Sequence, residues 1–448
     1  MKLTPTPEQE QLISMALETD SGAMLNASFT GVGKSLMGVE MALRMWARRT
    51  LVIAPGSVYE GWRDTFRDQS DGAVNLRWAG NSNKAQKEAF ADLMSGAPGY
   101  YFMTREMFRL REWSKTHVDV AIYDEIQAAS NKKSKGAKAW RNLKAGFKIA
   151  SSKDWFGNDF TNAWTVARGL WPKHIPASFY LWRDEWCATE FDNFAFDKKK
   201  VSGEKIPGAF VRSLPCYGRL ETDLDEPIYE DRWVDLTPAQ RKTYDRLERD
   251  MVAYIENNPL TVELPITLRT RLRQLTLGMV TVDEAGGIDF AEDCVSTKIS
   301  ELLSIVEDHP SEKILVLMDS AKFAAVVTAR LNKAYPGSAG EWSGRVSHDD
   351  REALKQEFVS GNKRFIVATI SSIGEGVDSL QEASSTIVML SQSDNALLNG
   401  QAVARLNRRG QTKPVVVYRV MARETYDSGQ VSTLMARALA NNASMRKG

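Results

Sequence analysis

Cysteine is scarce, and the three present (Cys187, Cys216 and Cys294) are scattered along 448 residues. That excludes a disulfide framework or a zinc knuckle and fits a reducing, intracellular compartment. The four histidines are equally dispersed, so a zinc hydrolase would have no ligand set. No run approaches the roughly 20 apolar residues that cross a bilayer, and the first residues, Met1 to Gln11, hold no apolar signal core. Neither sign of charge prevails: 58 Lys and Arg stand against 57 Asp and Glu, a net +1. Contact with any polyanion must therefore come from local basic patches, not from a global field. Internal repeats and low-complexity tracts are absent as well. The expectation is a soluble protein of the cytoplasm.

What is present is an ordinary globular composition, 43% hydrophobic and 26% charged, at a length that suits about two to three domains. Short apolar runs recur at 23–27, 51–54, 100–103, 118–123, 314–318, 365–368, 386–390 and 415–420. Such runs suit strands buried on both faces, and helix-length amphipathic segments separate them, so the fold class predicted is α/β with parallel sheets. The runs fall into two groups. Between them, Trp, Arg and Glu dominate, with helices expected over 237–256 and 268–277. Thr237 reads as an N-cap and Pro238 as a first-turn residue. The organisation inferred is a lobe (1–174), a helical insertion or bridge (175–293) and a second lobe (294–448).

Three groups of residues carry chemistry. The first is Thr30, Gly31, Val32, Gly33, Lys34 and Ser35, between an expected strand and an expected helix. Backbone N–H groups there can cradle phosphates, with Lys34 reaching the terminal phosphates and Ser35 ligating Mg²⁺. The first glycine of that motif is replaced by Ser28, and the five residues Gly-Val-Gly-Lys-Ser alone are also compatible with a chance turn. The second group is Asp124 and Glu125, at the carboxyl end of the 118–123 run, where parallel sheets place their sites. Asp124 suits a Mg²⁺ ligand and Glu125 the base that positions water, although an acidic pair there can equally be a helix cap. The third is Gln401, Arg405 and Arg408, spaced i, i+4, i+7, which on one helix would share a face and suit arginine fingers.

The order of these blocks resembles superfamily 2 helicases. Asp124, Glu125, Ile126 and Gln127 are similar to their Asp-Glu-x-His/Gln box. Gln401 to Gln411 resembles the last motif of the Swi/Snf-related branch, the double-stranded-DNA translocases, in a compact form like that of microbial or viral members. The resemblance extends from about residue 3 to 430. It implies two RecA-like P-loop lobes, ATP and Mg²⁺ as cofactors, adenine read by Gln9, and nucleotide-state sensing by Gln401, Gly376 and Asp378. It implies DNA as the partner, double-stranded rather than single-stranded, with contacts from Ser57, Thr104, Arg105, Ser320, Lys322, Gly344 and Thr369. For a viral member the compartment would be the host-cell cytoplasm. Two departures stand out. Where the family has Ser-Gly-Thr-Pro, a motif that the resemblance implies couples hydrolysis to movement, this chain has Ser152, Lys153, Asp154 and Trp155, followed by a matching Asn158 and Pro172. Asn407 takes the place of a frequent histidine.

Other features are open to plainer explanations. The stretch 132–148 carries Lys132, Lys133, Lys135, Lys138, Arg141, Lys144 and Lys148 and no acid. It reads either as a solvated face or as a phosphate-tracking patch. Lys198 to Lys200 reads as a loop or as a second, weaker patch of that kind. The stretch Arg269–Arg273 is either a basic helix face or a DNA contact. Trp140, Trp155, Trp164 and Trp171 belong to a core, whereas Trp342, in a Gly/Ser-rich segment, is the exposed exception.

Overall fold

The computed structural model describes residues 2–157, 159–192, 197–222, 224–257, 263–282, 288–291, 293–374, 379–430 and 444–445. The chain divides into two compact units, Met1–Asp223 with Arg437–Gly448, and Leu224–Ala436. The stretch expected as a separate bridge is therefore shared between the two. Among the described residues no helix is long and apolar enough to cross a membrane.

In the first unit the strands are β1 (Ala23–Asn26), β2 (Arg49–Ala54), β3 (Leu76–Trp78), β4 (Gly99–Thr104), β5 (His117–Asp124) and β6 (Lys144–Ser151). They are followed by β7 (Cys187–Phe191), β8 (Lys199–Glu204) and β9 (Tyr217–Gly218). Among the described residues, seven of these form one sheet in the order β3-β4-β2-β5-β6-β1-β9, and every neighbouring pair is parallel. β7 and β8 form an antiparallel hairpin of their own, so Lys199 and Lys200 stand on a strand and not in a loop. The central strands are buried over most of their length because helices cover both faces, and this removes any need for polar alternation. Trp140, Trp155, Trp164 and Trp171 lie in this core.

The second unit adds β10 (Ile228–Val234), the short pair β11 (Thr281–Val282) and β12 (Ile288–Asp289), β13 (Ile314–Met318), β14 (Ala339–Trp342), β15 (Phe365–Thr369), β16 (Thr386–Met389) and β17 (Val416–Ala422). Its main sheet runs β10-β17-β16-β13-β15-β14, again parallel at every step. Alternate residues of β13 supply two cores. Ile314, Val316 and Met318 enter one, and Leu315 and Leu317 enter the other. That two-sided burial explains an apolar run with no period. The expected helices are found at Pro238–Asn257 and Glu263–Leu277, and the Thr237 hydroxyl accepts the Gln240 N–H at 3.3 Å. Trp342, expected to be exposed, is buried, and its ring N–H donates to Ser372 O at 3.3 Å.

Candidate active site

In the first unit, strand order decides what meets. β6 lies between β5 and β1, with Ser151 in register with both Asp124 and Asn26. The loop after β1, the acidic pair ending β5 and the residues after β6 therefore share one edge of the sheet. The glycines of the loop carry its curvature: φ is +84° at Gly31 and +82° at Gly33, a region that a Cβ disfavours. Gly33 precedes the helix Lys34–Arg44 without a side-chain cap, which leaves that helix N-terminus able to receive an anion.

Gln9 braces this loop. Its Oε1 accepts the Thr6 N–H at 2.8 Å, and its Nε2 donates to Val32 O at 2.8 Å. A Cβ at Gly33 would come within 2.6 Å of that Nε2, so the glycine is required by Gln9 as well as by φ. The Lys34 ammonium folds over the start of the loop and donates to Ser28 O and Phe29 O, both at 3.0 Å. Burial lowers its pKa, opposed by Glu125, Asp124 and Asp154, the carboxylates close enough to act on it. Thr30 and Ser35 are half-buried beside it.

Asp124 Oδ1 accepts from the Ser151 hydroxyl at 3.0 Å and from the Glu125 N–H at 3.1 Å. Burial, reinforced by the Glu125 carboxylate and opposed by Lys34 and Ser151, pushes the Asp124 carboxyl up to about 6. Glu125 is held at φ +56°, the left-handed region that non-glycine residues seldom adopt. Gln127 Nε2 donates to Glu125 Oε2 at 2.5 Å, and the Ser152 hydroxyl approaches the same oxygen at 3.5 Å. Ser151 carries no sequence signal, since it ends a strand that begins inside an apparent basic run. Gln127 stands in the acidic box, but nothing in its spacing tells that it aims Glu125.

The residues expected to touch DNA in this unit also follow strand ends. Ser57 lies, exposed, just past β2. Thr104 ends β4, in register with Ala54, and caps the short helix that begins at Arg105. The basic stretch splits. Lys132, Lys133, Lys135, Lys138 and Lys144 are exposed, and the Lys132 ammonium sits 3.5 Å from the Phe179 ring centroid. Lys148 is buried and cannot track a phosphate backbone.

The second unit presents its own strand-end residues. Ser320 follows β13 and caps the next helix by accepting the Phe323 N–H. Lys322 pairs with Asp289 at 3.6 Å. Gly344 is exposed past β14, and Thr369 ends β15 with its hydroxyl 2.6 Å from that of Ser372. Arg273 is engaged by Asp319 at 2.7 Å and Asp394 at 3.6 Å, so it does not add to an open basic face. The side chain of Arg269 lies outside the described residues.

Gln401, Arg405 and Arg408 do not share one helix. The helix Ala396–Val403 carries Gln401 and ends before Arg405, which sits in a turn with Arg408 beyond it. Gly410, at φ +96°, and Gln411, whose Nε2 donates to Ser384 O and Leu406 O, fix that turn against the sheet. Sequence spacing could not reveal a helix stopping two residues early. Arg405 is nonetheless brought against the neighbouring motif, donating from Nη2 to Gly374 O at 2.7 Å. Gly376, Asp378 and Asn158 lie outside the described residues. Asn407 donates to Asp225 O at 3.2 Å.

Two parallel sheets, one carrying a lysine-tipped phosphate loop beside a carboxylate pair and the other an arginine turn, define a two-unit P-loop protein of the RecA-like kind. No protein-family model matches the chain. An uncharacterized ATP-dependent helicase of Mycoplasma genitalium is 21% identical over 425 residues, 92% of this chain and 39% of its own length. The human SWI/SNF-related matrix-associated actin-dependent regulator of chromatin subfamily A member 1 is 20% identical over 430 residues, covering 89% of this chain and 39% of its own. Protein CHROMATIN REMODELING 24 of Arabidopsis thaliana is 21% identical over 450 residues, 85% and 40% respectively. The chain spans about two fifths of the length of these curated relatives. Among solved structures, the Sulfolobus solfataricus SWI2/SNF2 ATPase core in complex with dsDNA covers 99% of this chain and 94% of its own at 17% identity, with a TM-score of 0.41, a likeness too loose to argue from. Over most of its length the chain is thus similar, at 20–21% identity, to ATP-dependent helicases and SWI/SNF-related regulators.

Proposed function

We propose that the chain hydrolyses ATP and couples the cycle to movement along DNA, double-stranded rather than single-stranded, as a DNA-dependent ATPase of the translocase or helicase kind. The observation that carries this reading is the meeting of Lys34, Asp124 and Glu125 at one edge of the first sheet. Gly31, Gly33 and the helix N-terminus cradle the phosphates, Lys34 exchanges its loop carbonyls for the terminal phosphates, and Gln9 faces the adenine. Ser35 and Asp124, a hydroxyl and a carboxylate, are the small oxygen set that Mg²⁺ takes beside phosphates and water, and the ion would supply charge neutralisation there. Glu125, aimed by Gln127, orients the attacking water and accepts its proton. Arg405 and Arg408 of the second unit act as fingers on the transferring phosphoryl group, while Gln401, Gly376 and Asp378 report its presence. Ser57, Thr104, Arg105, Ser320, Lys322, Gly344 and Thr369, all near strand ends, take the DNA backbone.

The test is steady-state ATP hydrolysis with duplex DNA, single-stranded DNA, RNA or no polymer, with Lys34→Ala as control. Duplex DNA is expected to stimulate most, and the variant to abolish turnover. Stimulation by RNA alone would make this an RNA-directed helicase, and no stimulation by any polymer would overturn the motor. A second reading, a nucleotide-gated DNA clamp uncoupled from movement, is favoured by the charged Lys153 and Asp154 in the coupling motif. Displacement of a triplex-forming strand separates them, since a clamp displaces nothing.

A further inference from the structure

The segment just past β9 does more than close the first sheet. Its pairing with β1 continues into the phosphate loop: Ala27 N–H donates to Gly218 O at 2.7 Å, and Phe29 N–H donates to Leu220 O at 3.0 Å. In return the Leu220 N–H donates to the Ser28 hydroxyl at 2.9 Å. Arg219 is thereby fixed beside the loop, its guanidinium 4.8 Å from the centroid of the Phe29 ring. On the same ring, the Lys153 ammonium stands at 4.5 Å. Lys34 is bound to the carbonyls of Ser28 and Phe29. Three cations thus converge on two consecutive residues of a phosphate loop.

Arg219 is under-bonded for a guanidinium in such a place. Its Nε and Nη1 are buried and have no hydrogen-bond partner among the described residues. Asp154 feels its charge, together with those of Lys153 and Lys34, but supplies no acceptor to either of those two nitrogens. Buried donors of this strength are ordinarily matched by an acceptor, and a phosphate offers two charged oxygens that the planar fork of a guanidinium can bind together.

We propose that Arg219, with Lys153 against the same Phe29 ring, is a second cationic ligand for the terminal phosphates of the nucleotide, supplied by the same unit as Lys34. Asp154 is their counter-ion while the phosphates are away. The inference rests on the nucleotide-binding reading above and adds two residues to it. It also gives the charged replacement of Gly-Thr-Pro a use, in holding phosphate where the usual motif has no cation.

Equilibrium titration with fluorescent AMP, ADP and a non-hydrolysable ATP analogue, in the presence of Mg²⁺, tests it. Arg219→Ala and Lys153→Ala are expected to bind AMP as the parent does. Each is expected to lose about tenfold to hundredfold for the triphosphate, as for one charge-assisted bond. Arg219→Lys should recover part of the loss. Triphosphate binding within twofold of the parent in both alanine variants would overturn the inference. So would an equal loss for all three nucleotides, which is what a merely structural residue would give. Should Arg219→Ala fail to fold, Lys153→Ala and Arg219→Lys decide the matter by the same comparison of nucleotides. Lys34→Ala separates the two readings. If it loses the triphosphate while the Arg219 variants keep it, only the inference falls; if the parent binds no nucleotide, the proposed function falls with it.

Discussion

Lys148 offers a prediction in which charge, burial and pH are tied together. Its ammonium donates to Trp140 O at 2.8 Å and Gly169 O at 3.1 Å, carbonyls in the last turns of two helices, with the Trp140 ring centroid at 4.6 Å. No carboxylate pairs with it among the described residues, and burial pushes its pKa from 10.5 down to about 7. In the unfolded chain the same amine stays protonated to about 10.5. Between these values the unfolded state binds more protons, so stability rises with pH across that window and is flat below about 7, where both states are charged. At about 1.4 kcal/mol per unit the span reaches about 5 kcal/mol, an upper bound, since the two carbonyls and the ring favour the ammonium. Lys148→Met removes the titration and also two hydrogen bonds, about 1–2 kcal/mol together. Urea unfolding of both proteins from about pH 7 to about pH 10, compared pairwise so that other titrations cancel, is the assay. The advantage of the methionine variant should be greatest near pH 7 and shrink by several kcal/mol towards pH 10. A difference constant across that range would refute a buried, uncompensated Lys148.

Arg408→Ala should lower ATP turnover by about 10³–10⁵ while leaving nucleotide affinity nearly intact, as loss of a finger does. Parental turnover with DNA present would refute that role. Ser28→Gly restores the usual first glycine of the loop yet leaves the Leu220 N–H without its acceptor; the first unit should lose about 1–2 kcal/mol, read by urea unfolding, with no gain in nucleotide affinity. In the second unit the fully buried Lys298 donates to Asp427 at 2.6 Å and to Leu390 O at 2.7 Å. Lys298→Ala strands a buried carboxylate and should cost about 3–5 kcal/mol in the same assay, and a loss under about 1 kcal/mol would show the pair to be dispensable.

The sheets were legible because parallel strands buried on both faces need continuous apolar runs, and few other segments of a soluble chain supply them. Within the two main sheets, the strands without such a run, β3, β6, β9, β10 and β14, are short, sit near an edge, or carry lysine and arginine. β6 begins at Lys144 and passes through Lys148 before reaching Ser151, so charge conceals it. Lys34, Asp124 and Glu125 were readable because the strand–loop chemistry of phosphate binding demands those types at those places. Arg405 and Arg408 were readable as residues but not as geometry, because a helix ending at Val403 depends on the anchoring of Gln411 to Ser384 across the unit. Arg219 offered nothing to read. Its importance comes from an edge strand that joins residues almost 200 positions apart.

Two of the departures from the family pattern, Ser28 and the 152–155 segment, distant in sequence, are one arrangement in space. Ser28 replaces a glycine, and its hydroxyl receives the Leu220 N–H, which draws Arg219 to the Phe29 ring. Lys153, in the altered coupling motif, covers the same ring, while Ser152 reaches towards Glu125 and Asp154 faces the cations. Restoring the glycine alone removes one of the three ties that seat Arg219. Restoring Gly-Thr-Pro alone removes Lys153 and the carboxylate facing Arg219. Changes made together should therefore depart from the sum of changes made singly, because the residues share Phe29 as a common contact. A double-mutant cycle between Ser28→Gly and Lys153→Ala, read as triphosphate affinity, should show a coupling of about 0.5–3 kcal/mol. Additivity would mean that the motif changed twice for unrelated reasons.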